Sequence, residues 1–138
     1  MIVDTSALVD AITDSGARGA AARAALSQPG DRLFAPGLLA VEVLSALRRL
    51  AADVSADFDL ADIPSALLDA EQYGIEIEGT PWPDVHRAWE LAQGSIRYSD
   101  GVFIAAAERT DRPLLTSDGR LARSRAPIHC DLIDLTAQ

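Results

Sequence analysis

The sequence predicts an α/β fold, with a central parallel β-sheet of about five strands and helices on both faces. Three observations carry this. Short apolar segments alternate with longer stretches of helical periodicity. The composition, 49% apolar and 24% charged, can bury a core. No repeat, linker or low-complexity tract divides the 138 residues, so residues 1–138 read as one domain.

The first strand is Ile2–Asp4, a short apolar run closed by an acid. Residues Ser6 to Ile12 and Gly16 to Leu26 form a first pair of helices. A strand follows at Leu33–Ala35. Pro36 to Ala52 is the strongest helix: Leu39, Val43, Ala46, Leu47 and Leu50 recur at helical spacing, and Pro36 suits a helix start. Leu60 to Tyr73 reads as a further helix, broken early by Pro64. The acids Asp53, Asp57, Asp59 and Asp62 before and within it read as a solvated loop and helix start. A strand at Ile75–Ile77 precedes a helix at Pro83 to Gln93, whose face Trp82, Val85, Trp89 and Ala92 is assigned to the core. Ser99 to Arg109 is the next helix, with Ser99 as N-cap. Leu114–Thr116 is a buried strand. A short helix at Asp118 to Ser124 and a strand at His129–Ile133 complete the pattern. Crossovers in such a sheet are right-handed, and ligands sit at the carboxyl ends of its strands.

The net charge of −9 argues against general nucleic-acid binding, which uses basic surfaces. All twelve basic residues are Arg, and six of them (Arg97, Arg109, Arg112, Arg120, Arg123 and Arg125) lie in the last third. Arg suits forked contacts with phosphate; the absence of Lys fits codon usage in a GC-rich genome equally well. No signal peptide and no apolar run of about 18–20 residues is present, so the chain is read as soluble and cytoplasmic, with no membrane partner. Cys130 is the only cysteine and reads as a small buried apolar group in the last strand. His129 beside it lacks the further ligands of a zinc site. His86 reads as an ordinary helical histidine.

Four dispersed acids mark the candidate site: Asp4, Glu42, Asp100 and Asp118. Asp4 ends the first strand. Glu42 lies about 60° from Leu39 on the border of its helix's apolar stripe, where a carboxylate costs desolvation unless a cation neutralises it. Asp100 shares a helix face with Phe103, Ile104 and Ala107. Asp118 follows a buried strand. Each has an ordinary alternative. Asp4, Asp100 and Asp118 could be helix caps, and Glu42 could pair with an Arg. Gathered at one point, however, the four would repel and raise one another's pKa values unless a divalent cation relieved them. Hard Mg²⁺ or Mn²⁺ takes such oxygen ligands and can activate water against a phosphodiester.

These residues resemble a known family. Ile2-Val3-Asp4-Thr5-Ser6-Ala7-Leu8 looks like the opening of a PIN domain. So do Glu42 within Val41-Glu42-Val43-Leu44, Tyr98-Ser99-Asp100 ahead of Phe103-Ile104-Ala105-Ala106-Ala107, and Leu115-Thr116-Ser117-Asp118 ahead of Arg120-Leu121-Ala122. The similarity runs from Met1 to about Ile133, and its size and plainness resemble the VapC-type toxins of bacterial toxin–antitoxin pairs. The resemblance implies a PIN-like parallel sheet and a Mg²⁺- or Mn²⁺-dependent endoribonuclease. Its metal ligands and catalytic acids would be Asp4, Glu42, Asp100 and Asp118, with Ser6 and Thr116 as supporting hydroxyls. It further implies cleavage of structured RNA such as tRNA or ribosomal RNA, arrest of translation, a homodimer and a cognate antitoxin. The acidic balance would then attract a basic antitoxin segment.

Two other classes remain open. A phosphatase or phospho-acceptor domain would use Asp4 as nucleophile, but the chain lacks the adjacent second acid and the Lys such sites want. A non-catalytic PIN-like binding module would keep the fold without the chemistry, although packing alone does not call for four acids.

Overall fold

The computed structural model describes residues 1–137. Five strands form one sheet: β1 (Ile2–Val3), β2 (Phe34–Pro36), β3 (Glu76–Glu78), β4 (Leu114–Thr116) and β5 (Leu132–Asp134). Their order is β3-β2-β1-β4-β5 and every neighbouring pair is parallel. β1 is central, in register with Phe34 on one side and with Leu114 and Leu115 on the other. Ile2, Val3, Ala35, Leu114 and Leu115 are fully buried, as central parallel strands require.

The helices are α1 (Thr5–Thr13), α2 (Ala17–Leu26), α3 (Leu38–Ala52), α4 (Ile63–Gln72), α5 (Trp82–Leu91), α6 (Tyr98–Thr110) and α7 (Gly119–Ala122), with a 3₁₀ turn at Leu60–Asp62. On one side α6 packs on β1, β2 and β4 and carries α5 outside it; α1 gathers α2, α3 and α4 and packs on β4. The predicted architecture is therefore observed. No helix among the described residues is long and apolar enough to cross a membrane.

Several local expectations need correction. Pro36 ends β2 rather than opening α3; it has no N–H to continue the ladder toward β1, whose pairing with β2 is registered at Ile2 and Phe34. Pro64 does not break a helix. It sits in the first turn of α4, where its absent N–H would have no helical partner anyway. The N-cap of α6 is Arg97, and Ser99 lies inside the first turn. The last strand is Leu132–Asp134, so Cys130 precedes it, half-buried against the core, its thiol pushed up to about 11 by burial.

The largest correction concerns α5. Its inner residues are Asp84, Ala88 and Leu91, whereas Trp82 and Trp89 are 77% and 57% exposed. The aromatic stripe exists, but it faces outward. Space decides this: α5 approaches α6 so closely that Ala88 meets Gly101 and only small residues fit. Buried Asp84 is satisfied by Arg109 of α6, 2.9 Å away. Trp89 instead stacks on Tyr98 at the surface, with ring centroids 6.3 Å apart.

Candidate functional site

A cleft of about 390 Å³ is lined by Asp4, Glu42, Asp100 and Asp118, so the fold brings all four predicted acids together. β1 and β4 are neighbours, and both deliver their carboxyl ends here: Asp4 follows Val3 directly and Asp118 follows β4 by two residues. α3 contributes Glu42 from its second turn, and α6 contributes Asp100 from its first. The position is where the open α/β sheet rule places a ligand.

Asp4 is the most buried of the four at 4% exposed. Its Oδ2 accepts hydrogen bonds from Ser6 Oγ at 2.6 Å and Thr116 Oγ1 at 2.8 Å. Ser6 Oγ in turn accepts from the Ser117 amide at 3.0 Å, and Thr116 Oγ1 from the Asp118 amide at 3.0 Å. Both predicted supporting hydroxyls therefore tie the end of β4 to the end of β1. Burial raises the Asp4 pKa, the two hydroxyls hold it back, and the Asp100 charge adds to the rise.

Glu42 is half-buried and accepts from Thr5 Oγ1 at 2.9 Å, not from an Arg. Asp100, 8% exposed, is gripped by Arg97 through Nε at 2.9 Å and Nη2 at 3.3 Å. Asp118 does serve as the cap of α7, accepting from the Arg120 amide at 3.0 Å. The Arg120 guanidinium binds both its oxygens, and Arg97 approaches it at 3.7 Å. The Arg120 hydrogen bond is the main reason its carboxyl is held below the usual range.

The donor chemistry fits a hard divalent cation: carboxylates and hydroxyls, all oxygen, on one cleft. The acids are not, however, drawn into a finished cage. Among the described residues no three His, Cys, Asp or Glu side chains stand placed to hold one ion. Arginines neutralise Asp100 and Asp118 instead, which is how a fold relieves crowded carboxylates without metal.

Sequence reasoning misses Asp10. It lines the cleft, is 8% exposed, and is held by Arg18 Nη2 at 2.9 Å to each oxygen. A clue is present in the chain: Ser6, Val9 and Asp10 share a helix face at spacings of three and four. Arg49 also lines the cleft. Of the six late arginines, Arg97 lines it and Arg120 reaches its rim through Asp118. Arg109 is tied to Asp84, and Arg112 to Glu78 and the face of Phe34.

Thr116→Val, which keeps the shape but deletes the hydroxyl, should cost about 1–3 kcal/mol by stranding the Asp118 amide and part of Asp4. A denaturant melt with an unchanged midpoint would refute this account of the hydroxyl network.

Comparison with known proteins agrees with this architecture. The PIN domain profile matches residues 1–126. Ribonuclease VapC1 of Mycobacterium tuberculosis is 35% identical over 122 residues, covering 88% of this chain and 87% of the relative. Among solved structures, Mycobacterium tuberculosis VapC20, described as a Sarcin-Ricin loop cleaving toxin, superposes with a TM-score of 0.67. It shares 14% identity over 94% of this chain and 98% of that one. A toxin-antitoxin complex from Klebsiella pneumoniae gives 0.66 at 16% identity, over 97% and 96%. The last two likenesses bear on the fold alone. With the profile spanning nearly the whole chain and the VapC1 relationship beside it, the protein belongs to the PIN-domain family, among its VapC-type members.

Proposed function

We propose that the chain is a divalent-metal-dependent endoribonuclease and the toxin of a toxin–antitoxin pair. The observation that carries this is the meeting of Asp4, Glu42, Asp100 and Asp118 on one cleft, in a chain related to a protein named a ribonuclease. Asp4, Glu42, Asp100 and Asp118 would hold Mg²⁺ or Mn²⁺. When bound, the ion supplies an activated water and Lewis-acid stabilisation of phosphoryl charge. The protein's own residues set the geometry. Ser6 and Thr116 fix one oxygen of Asp4; its other oxygen accepts no side-chain hydrogen bond among the described residues and is left for a ligand. Thr5 orients Glu42. Arg97 and Arg120 stand where a phosphate oxygen could be met by a guanidinium fork.

Structured RNA of the tRNA or ribosomal class is the proposed substrate, with arrest of translation as the outcome. A cognate antitoxin is proposed from the chain's place among the VapC-type members of the family, and the net charge of −9 suits a basic inhibitory segment. A homodimer completes the proposal. The test is cleavage of total tRNA and ribosomal RNA by the purified protein with Mg²⁺, with Mn²⁺ and with chelator. Chelation should abolish cutting. Cleavage that persists undiminished in chelator would reject the metal dependence; intact RNA under every metal condition would reject the nuclease.

A further inference from the structure

We infer that Arg97 and Arg120 are exchangeable counter-ions of the acidic cleft: they neutralise Asp100 and Asp118 in the metal-free protein and are released to substrate phosphate when a divalent cation takes those carboxylates. The inference rests on the metal-dependent reading above and assigns two residues a role within it.

The asymmetry of the ion pairs supports it. The Asp100 and Asp118 side chains are only 10% and 16% exposed, whereas those of Arg97 and Arg120 are each 60% exposed. The anions are therefore fixed by the fold and the cations hang at the rim. Exposed guanidiniums of this kind contribute little to stability. Buried carboxylates left without any counter-charge cost far more. Both conditions are met when one cation leaves as another arrives. Arg97 also serves two carboxylates at once, at 2.9 Å to Asp100 and 3.7 Å to Asp118, so it bridges the pair instead of belonging to either. The ion pair of Arg109 with Asp84 is of another kind: it joins α5 to α6, and neither residue lines the acidic cleft.

A second consequence concerns RNA. Once displaced, both guanidiniums remain tethered beside the cleft, Arg97 at the N-cap of α6 and Arg120 within α7. These two guanidiniums are then free for phosphate only when the site is loaded, adding to Arg49, which already lines the cleft. This reconciles a chain of net charge −9 with a polyanionic substrate.

The test is calorimetric titration of Mn²⁺ into the full chain, comparing the natural protein with Arg97→Gln, Arg120→Gln and the double variant. Removing a competing positive charge should tighten Mn²⁺ binding by about 3- to 10-fold per site. Both side chains are exposed enough that folding survives, which a thermal melt checks. Equal or weaker Mn²⁺ binding in the variants, with binding intact in the natural protein, overturns the inference and leaves the metal-dependent reading standing. No Mn²⁺ binding by the natural protein removes both. The phosphate half is read with a 2′-O-methyl RNA oligonucleotide at saturating Mn²⁺. The double variant should bind it about 10-fold more weakly, with a salt dependence shallower by about one to two charges. Unchanged affinity and slope would overturn that half.

Discussion

Replacing Asp4 with Asn should lower RNA cleavage by about 100-fold or more while making the metal-free protein more stable at neutral pH. The two effects share one cause. Asp4 is 4% exposed, and burial raises its pKa above 3.8. The folded protein therefore holds a proton on Asp4 over a range where the unfolded chain has released it. Stability falls as pH rises from 3.8 through the folded-state value, and the deficit persists at neutral pH. Asn is neutral at every pH and its carbonyl can still accept from Ser6 and Thr116. It keeps the hydrogen bonds and removes the buried charge. Melting curves in chelator should show the variant ahead at neutral pH and level with the natural protein below pH 3.8, where Asp4 is protonated in both states. Asp118 has the opposite sign. Its carboxyl is held low chiefly by Arg120, so its contribution is present above 3.8 and is lost as pH falls through the lower folded value. An Asp4→Asn protein that melts no higher than the natural one at neutral pH would show that the hydroxyls already compensate for burial. Normal RNA cutting by the same variant would remove Asp4 from the proposed chemistry.

The second large effect is steric. A β-carbon on Gly101 would stand 2.9 Å from Ala88 Cα, 3.1 Å from its Cβ and 3.2 Å from its carbonyl oxygen. Those atoms belong to helix backbone and to its attached methyl, so nothing flexible can move aside. Gly101→Val should therefore cost about 3 kcal/mol and lower the melting temperature by roughly 10 °C. Activity should fall further than stability alone explains, because Asp100 precedes Gly101 on α6 and moves with it. Gly101→Ala should be milder, and combining it with Ala88→Gly should recover part of the loss through a shared contact. Additive losses in that double-variant cycle would show that the two helices do not meet as described.

Much of this arrangement is legible in the chain. The α3 stripe of Leu39, Val43 and Leu47 is buried as its spacing demands, with Glu42 at its border. Asp100 does share a buried face with Phe103, Ile104 and Ala107. The failures have a common origin. Helical periodicity identifies an apolar face but does not say what it faces. In α5 the face with Trp82 and Trp89 has the stronger pattern, yet the face with Ala88 and Asp84 goes inward, because close helix approach rewards small size and a buried acid is tolerated where Arg109 answers it. Asp10 escapes a sequence reading for the complementary reason. It interrupts an apolar helix beside Ser6 and Val9, and the packed structure is what places it on the cleft, held by Arg18.

The alternation of strands and helices, the fold class, and the acids that stand at the ends of elements are all written in the linear chain. Those properties are encoded locally, in periodicity and in the residues that terminate a strand or open a helix. Three-dimensional packing was needed to make β1 and β4 neighbours, to bring Ser6 and Thr116 onto one oxygen of Asp4, and to seat Arg97 and Arg120 on Asp100 and Asp118. Ser6 and Thr116 are separated by 110 positions, and no local pattern carries information over such a distance. Their meeting is a property of strand order, which is selected by burying the whole sheet at once.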